Sequence, residues 1–202
     1  MFVDTTLGDC VLELTNHIGQ PASFHSIDYL GHKIHSLGKQ VGARPTAKVL
    51  FLLPNSMVVL VSRNKKNEEK RFCFPGGGIE YNVPGENLLP ALMREVVEEV
   101  RIVKGGIDWD GAKFLGPHLV KTKRDGWKQK LLLPVVCRCT SDFEVIPNLG
   151  GDGPPDQIYT ATPEEVSELL KRYPQRQDRE GYIGKAIASA LRIHKLHVRE
   201  VA

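Results

Sequence analysis

Residues 94–99 read Arg94-Glu95-Val96-Val97-Glu98-Glu99. On a helix the three glutamates are spaced i, i+3 and i+4, so their carboxylates share one face. Leu92, Val96 and Val100 fall on a different face and are expected to anchor the helix to a core. The segment therefore predicts an amphipathic helix with a strongly acidic polar face.

These crowded glutamates are unfavourable for the helix itself. Neighbouring like charges on a helix cost about 0.2–0.5 kcal/mol per pair, and anions in the second half of a helix oppose its dipole. A hard divalent cation such as Mg²⁺ would reverse both effects, because it prefers carboxylate oxygens as ligands. The alternative interpretation is a solvated acidic face with no ligand.

The residues before this helix favour the interpretation with a ligand. A glycine-rich turn occupies Pro75–Gly78, and Gly85-Glu86 comes just before the predicted N-cap, Asn87. Glycines allow backbone groups to approach a ligand closely. A helix from about Leu88 to Val100, preceded by such a loop, predicts a combined metal and phosphate site.

Strand and helix patterns alternate on both sides of this unit. Ala47–Leu53 and Met57–Ser62 predict a buried hairpin, and Lys130–Arg138 predicts another buried strand. Thr162-Pro163-Glu164-Glu165 is a capping box that starts a helix ending near Arg172. An amphipathic helix is expected in the tail, with these residues on its apolar face: Ile183, Ile187, Ala190, Leu191 and His194. The pattern predicts a layered α/β or α+β domain.

The first forty residues are less regular. They contain short β-like runs at Cys10–Thr15 and Phe24–Leu30, and four of the seven histidines of the chain. The histidine spacings match no zinc motif, so plain surface histidines are the preferred interpretation.

Composition excludes several classes of protein. The chain has 202 residues, of which 41% are hydrophobic and 25% charged, as in an ordinary globular protein. A net charge of +3, from 27 basic and 24 acidic residues, is too small for a nucleic-acid packaging protein. The sequence shows no apolar segment long enough for a membrane span and no basic start of a signal peptide. Its four cysteines lack metal-ligand pairing, so we expect a cytoplasmic protein with reduced thiols.

The central segment resembles the signature of the Nudix hydrolases. That signature reads Gly, five residues, Glu, seven residues, then Arg-Glu-hydrophobic-any-Glu-Glu-any-Gly-hydrophobic. Glu86, seven residues and the run from Arg94 to Ile102 match it at every specified position but one, and the likeness extends over roughly residues 45 to 195. The resemblance implies an α/β/α sandwich with a mixed sheet between helices, formed by residues 44–202, with residues 1–43 as an N-terminal extension packed on the same domain.

Two positions depart from the signature. Eight residues instead of five separate Gly77 from Glu86, and the extra ones fall within Tyr81–Pro84. Arg101 stands where the signature has its late glycine. Either Arg101 takes the left-handed conformation, at a cost of roughly 1 kcal/mol, or the helix continues to Gly105-Gly106.

The resemblance implies hydrolysis of a pyrophosphate linkage in a nucleoside diphosphate derivative, with Mg²⁺ or Mn²⁺ as cofactor. Glu95, Glu98, Glu99 and the Gly77 carbonyl are the implied metal ligands, and Glu95 also handles the proton of the attacking water. Arg94 is expected to orient the carboxylates, and Glu86 to stabilise the loop. A glutamate outside the signature is the base in some members, for which Glu144 and Asp156 are the candidates.

Substrate residues are sought in two basic stretches, one before the signature and one around Trp127. The candidates are Arg63, Arg71, Lys121, Trp127, Lys128 and Gln129. Cations suit a polyphosphate and an aromatic ring suits a stacked base, although both stretches could also be solvated loops. The preferred substrates are therefore nucleoside or dinucleoside polyphosphates or RNA 5′ ends. The alternatives are ADP-ribose or a nucleotide sugar, and a non-catalytic ligand-binding regulator. No membrane partner is expected, and a homodimer is the protein partner considered.

Overall fold

The computed structural model describes residues 6–36, 42–63, 70–81, 86–122, 127–151, 154–173 and 177–201. Two helices, α1 (Leu7–Thr15) and α2 (His25–Ser36), precede the first strand. Strands β1 (Ala43–Leu52), β2 (Val58–Arg63) and β3 (Arg71–Cys73) lead to α3 (Leu88–Glu99). The remaining elements are β4 (Val100–Lys104), β5 (Ile107–Phe114), β6 (His118–Lys121), β7 (Gln129–Cys139), β8 (Glu144–Pro147), β9 (Gln157–Ala161), α4 (Pro163–Arg172) and α5 (Gln177–Val201).

Seven of these strands form one mixed sheet in the described part of the chain. Its main path runs β3-β2-β1-β7-β5, with β6 also paired to β7 and β9 to β2. The central pair, β1 and β7, is parallel over ten residues, whereas the other pairs are antiparallel. Strands β4 and β8 form a separate two-stranded sheet that continues directly from α3.

Each face of the large sheet carries a hydrophobic core. Side chains of α1, α2 and α3 pack on one face, around residues such as Val49 and Leu133. Side chains of α4 and α5 pack on the other face, around residues such as Leu50 and Ile183. Strands β1 and β7 are buried on both faces, which explains why their sequences are almost continuously apolar. The predicted α/β/α sandwich with a mixed sheet is confirmed.

The β-like interpretation of the first forty residues is wrong, because both runs lie in helices. Thr6 and Asp9 form a capping box that starts α1, and Cys10 and Leu14 face the core at helical spacing. In α2 the buried residues recur at Ile27, Leu30, Gly31 and Ile34, which is again a helical period. Short windows rich in β-branched and aromatic residues concealed these periods.

The four cysteines are free, in agreement with the expectation of unpaired thiols. Burial raises the pKa of the Cys137 thiol above its ordinary value, and it raises that of Cys139 to about 12. No helix in the described part of the chain is both long and apolar enough to cross a membrane.

Candidate active site

The glycine-rich turn lies in a fork between β1 and β2. These strands pair with each other only at Leu52 and Val58, where the hairpin closes. Beyond that point residues 75–79 add to the free edge of β1: the Val49 amide donates to the Pro75 carbonyl at 2.9 Å, and the Ala47 amide donates to the Gly77 carbonyl at 2.9 Å. The turn is therefore held as an irregular edge strand beside the sheet.

Two of its glycines are required by close approach. Gly76 has φ +124°, and a Cβ there would come within 2.4 Å of the Ala47 carbonyl oxygen. A Cβ at Gly77 would lie 2.2 Å from Glu95 Oε2. Any side chain at either position would displace the backbone of β1 or the carboxylate of Glu95.

Helix α3 turns its glutamates toward this loop. Glu99 is buried, with 5% of its surface exposed, and its Oε2 accepts a hydrogen bond from the Gly76 amide at 2.9 Å. The side chain of Glu95 is 13% exposed and that of Glu98 33% exposed. The acidic face is thus covered by the loop, which excludes the alternative of a fully solvated face.

Arg94 joins the loop to the helix. Its Nε donates to Glu86 Oε1 at 2.6 Å, and its Nη2 donates to the Gly78 carbonyl at 3.0 Å. Its Nη1 donates to Glu95 at 2.9 Å and reaches Glu98 at 3.2 Å. Since a guanidinium has five donors in a rigid fork, one side chain can fix the relative position of three carboxylates and the turn.

The environment shifts the pKa values of these groups in different directions. Burial raises the pKa of Glu95, and Arg94 only partly opposes this. Burial would also raise the pKa of Glu86, but hydrogen bonds from Arg94 and the Glu80 amide lower it overall. The hydrogen bond to Glu86 raises the pKa of Arg94, which remains charged.

Two further cations approach the carboxylates from the sheet. The guanidinium of Arg63, at the end of β2, forms an ion pair and a hydrogen bond with Glu99 Oε1. The ammonium of Lys48, on β1, donates to the Gly76 carbonyl and its charge acts on Glu95. The substrate candidate Arg63 is therefore brought to the glutamate cluster.

In the described residues, no three or more His, Cys, Asp or Glu side chains are arranged as a metal-binding group. The chemistry of the donors nevertheless fits a hard divalent cation. Three carboxylates on one helical face and the adjacent backbone carbonyls of the turn supply oxygen ligands. The absence of a Cβ at Gly77 leaves the Glu95 carboxylate in direct contact with that turn.

The end of α3 differs from both alternatives offered for Arg101. The helix ends at Glu99, and Val100 enters β4 directly with φ −132° and ψ 145°. Left-handed φ among the described non-glycine residues occurs only at Ser56. Both alternatives are wrong because Asn148 caps the helix: its amide donates to the Glu99 carbonyl at 3.0 Å and its Nδ2 donates to the Val97 carbonyl at 2.7 Å.

Sequence reasoning also missed Asp28, a residue of α2. Its Oδ1 accepts a hydrogen bond from the Leu88 amide at 2.9 Å, at the first turn of α3. The predicted N-cap, Asn87, has the extended backbone of a cap but its side chain makes no capping hydrogen bond. No signal in the sequence indicates such a partner, because Asp28 lies far from α3 along the chain.

The other substrate candidates lie in two places, on the edge strand β3 and around the start of β7. Arg71 pairs with Arg63 across β2 and β3. Gln129 starts β7, opposite Ala43 of β1 and Lys121 of β6. The side chain of Lys128 lies against Gly42. The ring centroid of Trp127 is 6.3 Å from the ring centroid of His35 in α2. Two further cations of the basic stretch around Trp127, Lys123 and Arg124, lie outside the described residues.

The two candidates for an external base are separated by the structure. Glu144 pairs with Lys104, at the end of β4 farthest from α3. The Asp156 amide donates to the Ser62 carbonyl at 2.9 Å, which places Asp156 beside Arg63 and its ion pair with Glu99.

Comparisons with known proteins agree with this geometry. The family model of the NUDIX domain matches residues 42–179. Similar solved structures include a possible asymmetric diadenosine tetraphosphate hydrolase from Jonesia denitrificans, with 13% identity over 75% of this chain and 96% of that one and a TM-score of 0.54. An Ap4A hydrolase from C. elegans has 16% identity, 73% and 94% coverage and a TM-score of 0.49. The NUDIX domain of Shewanella oneidensis NrtR, complexed with ADP ribose, has 15% identity, 71% and 86% coverage and a TM-score of 0.45.

No curated protein matches the chain. The identities to the solved structures are low, so the likeness to the Jonesia denitrificans structure describes the fold alone. The family model, in contrast, spans most of the chain and includes the turn, Glu86, Arg94 and the three glutamates of α3. This chain belongs to the Nudix hydrolase family and is a Nudix-type pyrophosphohydrolase, acting on acid anhydrides in phosphorus-containing compounds.

Proposed function

We propose that this hydrolase cleaves the pyrophosphate linkage of nucleoside or dinucleoside polyphosphates, or of RNA 5′ ends, with Mg²⁺ or Mn²⁺. The proposal rests on one observation: cationic side chains from three different elements lie at the same cluster of carboxylates. Arg94 of α3, Arg63 of β2 and Lys48 of β1 all contact the glutamates or the turn beside them. Such a site can neutralise a polyanion from several directions.

The metal would be held by Glu95, Glu98, Glu99 and the Gly77 carbonyl. When bound, a divalent cation neutralises phosphate charge and lowers the pKa of the attacking water. Glu95 lies against the turn and is the residue proposed to accept the water proton. Asp156, beside Arg63, is the preferred base outside the signature.

Arg94 has a positioning role in this proposal. It contacts Glu86, Glu95, Glu98 and the Gly78 carbonyl at once, so it keeps the carboxylates in one arrangement before substrate arrives. Fixed charges of this kind need no rearrangement during the reaction. Arg63 is proposed to bind phosphate oxygens of the substrate, with Arg71 next to it across the sheet.

Trp127, Lys128, Gln129 and Lys121 are proposed to bind the nucleoside and outer phosphates. Gly78 pairs with Thr46, and Gln129 pairs with Ala43, on the same strand β1. Three residues of β-strand span about 10 Å, so the start of β7, which follows Trp127, lies close to the turn along that strand. This proximity supports a substrate that reaches from the glutamates to Trp127.

A panel of nucleotides tests the substrate class. With Mg²⁺ and Mn²⁺, substrates with three or more phosphates should be turned over faster than ADP-ribose or nucleotide sugars, because each phosphate adds charge for the lysines to neutralise. Trp127→Ala should raise KM in accordance with stacking of about 1–3 kcal/mol per base, and Trp127→Phe should retain most of the affinity. The preference should weaken as salt rises.

Two outcomes of this panel would support the alternatives. Equal or faster turnover of ADP-ribose, unaffected by Trp127→Ala, would support a sugar-nucleotide pyrophosphatase. Binding of nucleotides without hydrolysis in either metal would support a ligand-binding regulator, although such members usually lose signature glutamates and none is lost here. The cytoplasmic location and a homodimer stay predictions.

A further inference from the structure

Helix α2 contacts both ends of the loop that leads into α3. At the far end of the loop, where α3 begins, the Leu88 amide donates a hydrogen bond of 2.9 Å to Oδ1 of the partly buried Asp28. The side chain of Asn87 makes no capping hydrogen bond. The first amides of a helix have no partner within it, so an acceptor from elsewhere fixes both the position and the direction of the helix start. Asp28 therefore supplies the N-terminal cap that the residues next to α3 do not provide.

At the near end of the loop, Tyr81 is packed into α2. It is 8% exposed, and its ring centroid lies 5.5 Å from that of His32 and 5.4 Å from that of His35. A Cβ at Gly31 would come within 1.9 Å of Tyr81 Oη, so a larger residue there would force this tyrosine to shift. Burial raises the pKa of Tyr81, and the charges of Asp28 and Glu86 add to this effect. The amide of the preceding residue, Glu80, donates to Glu86 Oε2 at 2.6 Å, so the two ends of the loop lie close together.

These contacts coincide with a departure from the family pattern. The stretch between Gly77 and Glu86 is longer than the signature spacing, and its extra residues fall within Tyr81–Pro84. Longer loops lose more conformational entropy when ordered. Helix α2 lies outside the residues 42–179 that the family model matches.

We propose that α2 is part of the catalytic unit: Asp28 and Gly31 hold the two ends of the lengthened loop and so position α3 and its glutamates. Asp28 is a positioning residue, since it acts on the glutamates through the first turn of α3. The inference rests on the proposed function for its effect on turnover, but its structural effect can be measured without any substrate.

The first experiment compares Asp28→Ala with Asp28→Asn. Hydrogen–deuterium exchange at the amides of Leu88 and its neighbours should become about tenfold faster in Asp28→Ala, the change expected for a lost cap. In Asp28→Asn the amide oxygen still accepts, so exchange should stay close to that of the wild type. kcat should fall at least about tenfold in Asp28→Ala with little change in KM, because small displacements of catalytic groups are costly.

Asp9→Ala is the matched control. Asp9 accepts the Thr6 amide at 3.1 Å in the capping box of α1, so this variant loses a comparable cap in a helix that is not joined to α3. It should leave exchange at Leu88 and kcat unchanged.

The second experiment uses the near end of the loop. Gly31→Ala should favour helix formation by itself, yet it should accelerate exchange in the first turn of α3 and lower kcat, because the methyl group displaces Tyr81. Adding Tyr81→Phe removes the atom nearest to the new methyl group and should restore part of both losses. Gly8→Ala in α1, where the nearest atom to a new Cβ is 3.6 Å away, should have neither effect.

Exchange at Leu88 that is unchanged in both Asp28→Ala and Gly31→Ala would overturn the proposal. Faster exchange with an unchanged kcat would overturn the catalytic part of it. If the wild type hydrolyses no nucleotide, the proposed function fails, and the exchange data still decide whether α2 positions α3.

Discussion

Helices α3 and α4 are similar in length but are stabilised in opposite ways. Helix α4 contains its own signals: a Thr162–Glu165 capping box, Pro163 in the first turn, and Lys171 with Arg172 in the last turn. Helix α3 has no side-chain cap of its own, no acidic residue in its first turn and no basic residue in its last turn. Its last turn contains Glu98 and Glu99, which the helix dipole disfavours.

The difference shows which contacts determine the position of α3. Helix α3 is capped at one end by Asp28 and at the other by Asn148, and its carboxylates are neutralised by Arg94 and Arg63. Each of these contacts, except that of Arg94, comes from a distant segment. Helix α3, with its unfavourable charges, is thereby tied to the sheet and the loop around it, whereas the capping signals of α4 lie in its own sequence.

The largest expected effect comes from Glu99→Gln. Turnover should fall at least about a hundredfold, the scale seen when a key electrostatic group is removed from an active site. The free energy of unfolding should change by less than about 1 kcal/mol, because Gln can still accept the Gly76 amide and Arg63 is partly exposed. Steady-state kinetics and urea unfolding measure the two quantities.

Glu168→Gln is the corresponding change in α4. Glu168 is exposed and pairs with Lys171 at 2.8 Å, so its loss should leave turnover unaltered. Wild-type activity in Glu99→Gln would remove the basis for the metal assignment, and a comparable loss in Glu168→Gln would mean that the effect is not specific to α3.

A second variant, Arg63→Gln, tests whether the Arg63 guanidinium competes with the metal ion for the Glu99 carboxylate. Arg63 holds the buried carboxylate of Glu99, so its removal should make that carboxylate available. The Kd for Mn²⁺, measured by titration followed by electron paramagnetic resonance, should fall roughly tenfold, equivalent to about 1.4 kcal/mol. Turnover of nucleotide should fall as well if Arg63 binds phosphate.

Arg71→Gln is the control for charge alone, since Arg71 lies opposite Arg63 on the neighbouring strand. It should change Mn²⁺ affinity by much less. Weaker or unaltered Mn²⁺ binding in Arg63→Gln would contradict competition between Arg63 and the metal ion for Glu99.

The smallest expected effect belongs to α4. Thr162→Ala removes the hydroxyl that accepts the Glu165 amide at 3.2 Å, and it should lower the free energy of unfolding by about 1 kcal/mol. Thr162→Ser should retain the cap, and both variants should keep the kcat of the wild type. A loss of turnover in Thr162→Ala would show that α4 is coupled to the site, and it would contradict the difference between α3 and α4.

Local patterns were sufficient to predict the elements that carry their own signals. The hairpin of β1 and β2, strand β7, helix α4 and the spacing of glutamates on α3 are all encoded over short stretches of sequence. Helices α1 and α2 were missed because residues such as Val11 and Thr15 in α1, and Ile27 and Tyr29 in α2, favour strands in short windows.

The remaining features of the site depend on segments that are distant in sequence. Nothing near Leu88 indicates Asp28, and nothing near Arg101 indicates that Asn148 replaces a glycine cap. Likewise, the ion pair of Arg63 with Glu99 exists only because β2 diverges from β1 and turns its end toward α3. Such partners are fixed by topology and not by local propensity.

The parallel pairing of β1 with β7 also determines the order in which the protein can fold. The ladder joins Ala43–Leu52 to residues that follow five further strands and helix α3 along the chain. Closing so long a loop is slow, because the entropy is lost before the contacts form. A nascent chain that has not yet emerged as far as β7 lacks the strand that supports β1, the very strand on which the glycine turn rests. Although the signature is contiguous in sequence, its active geometry should therefore be among the last parts of the molecule to form during synthesis.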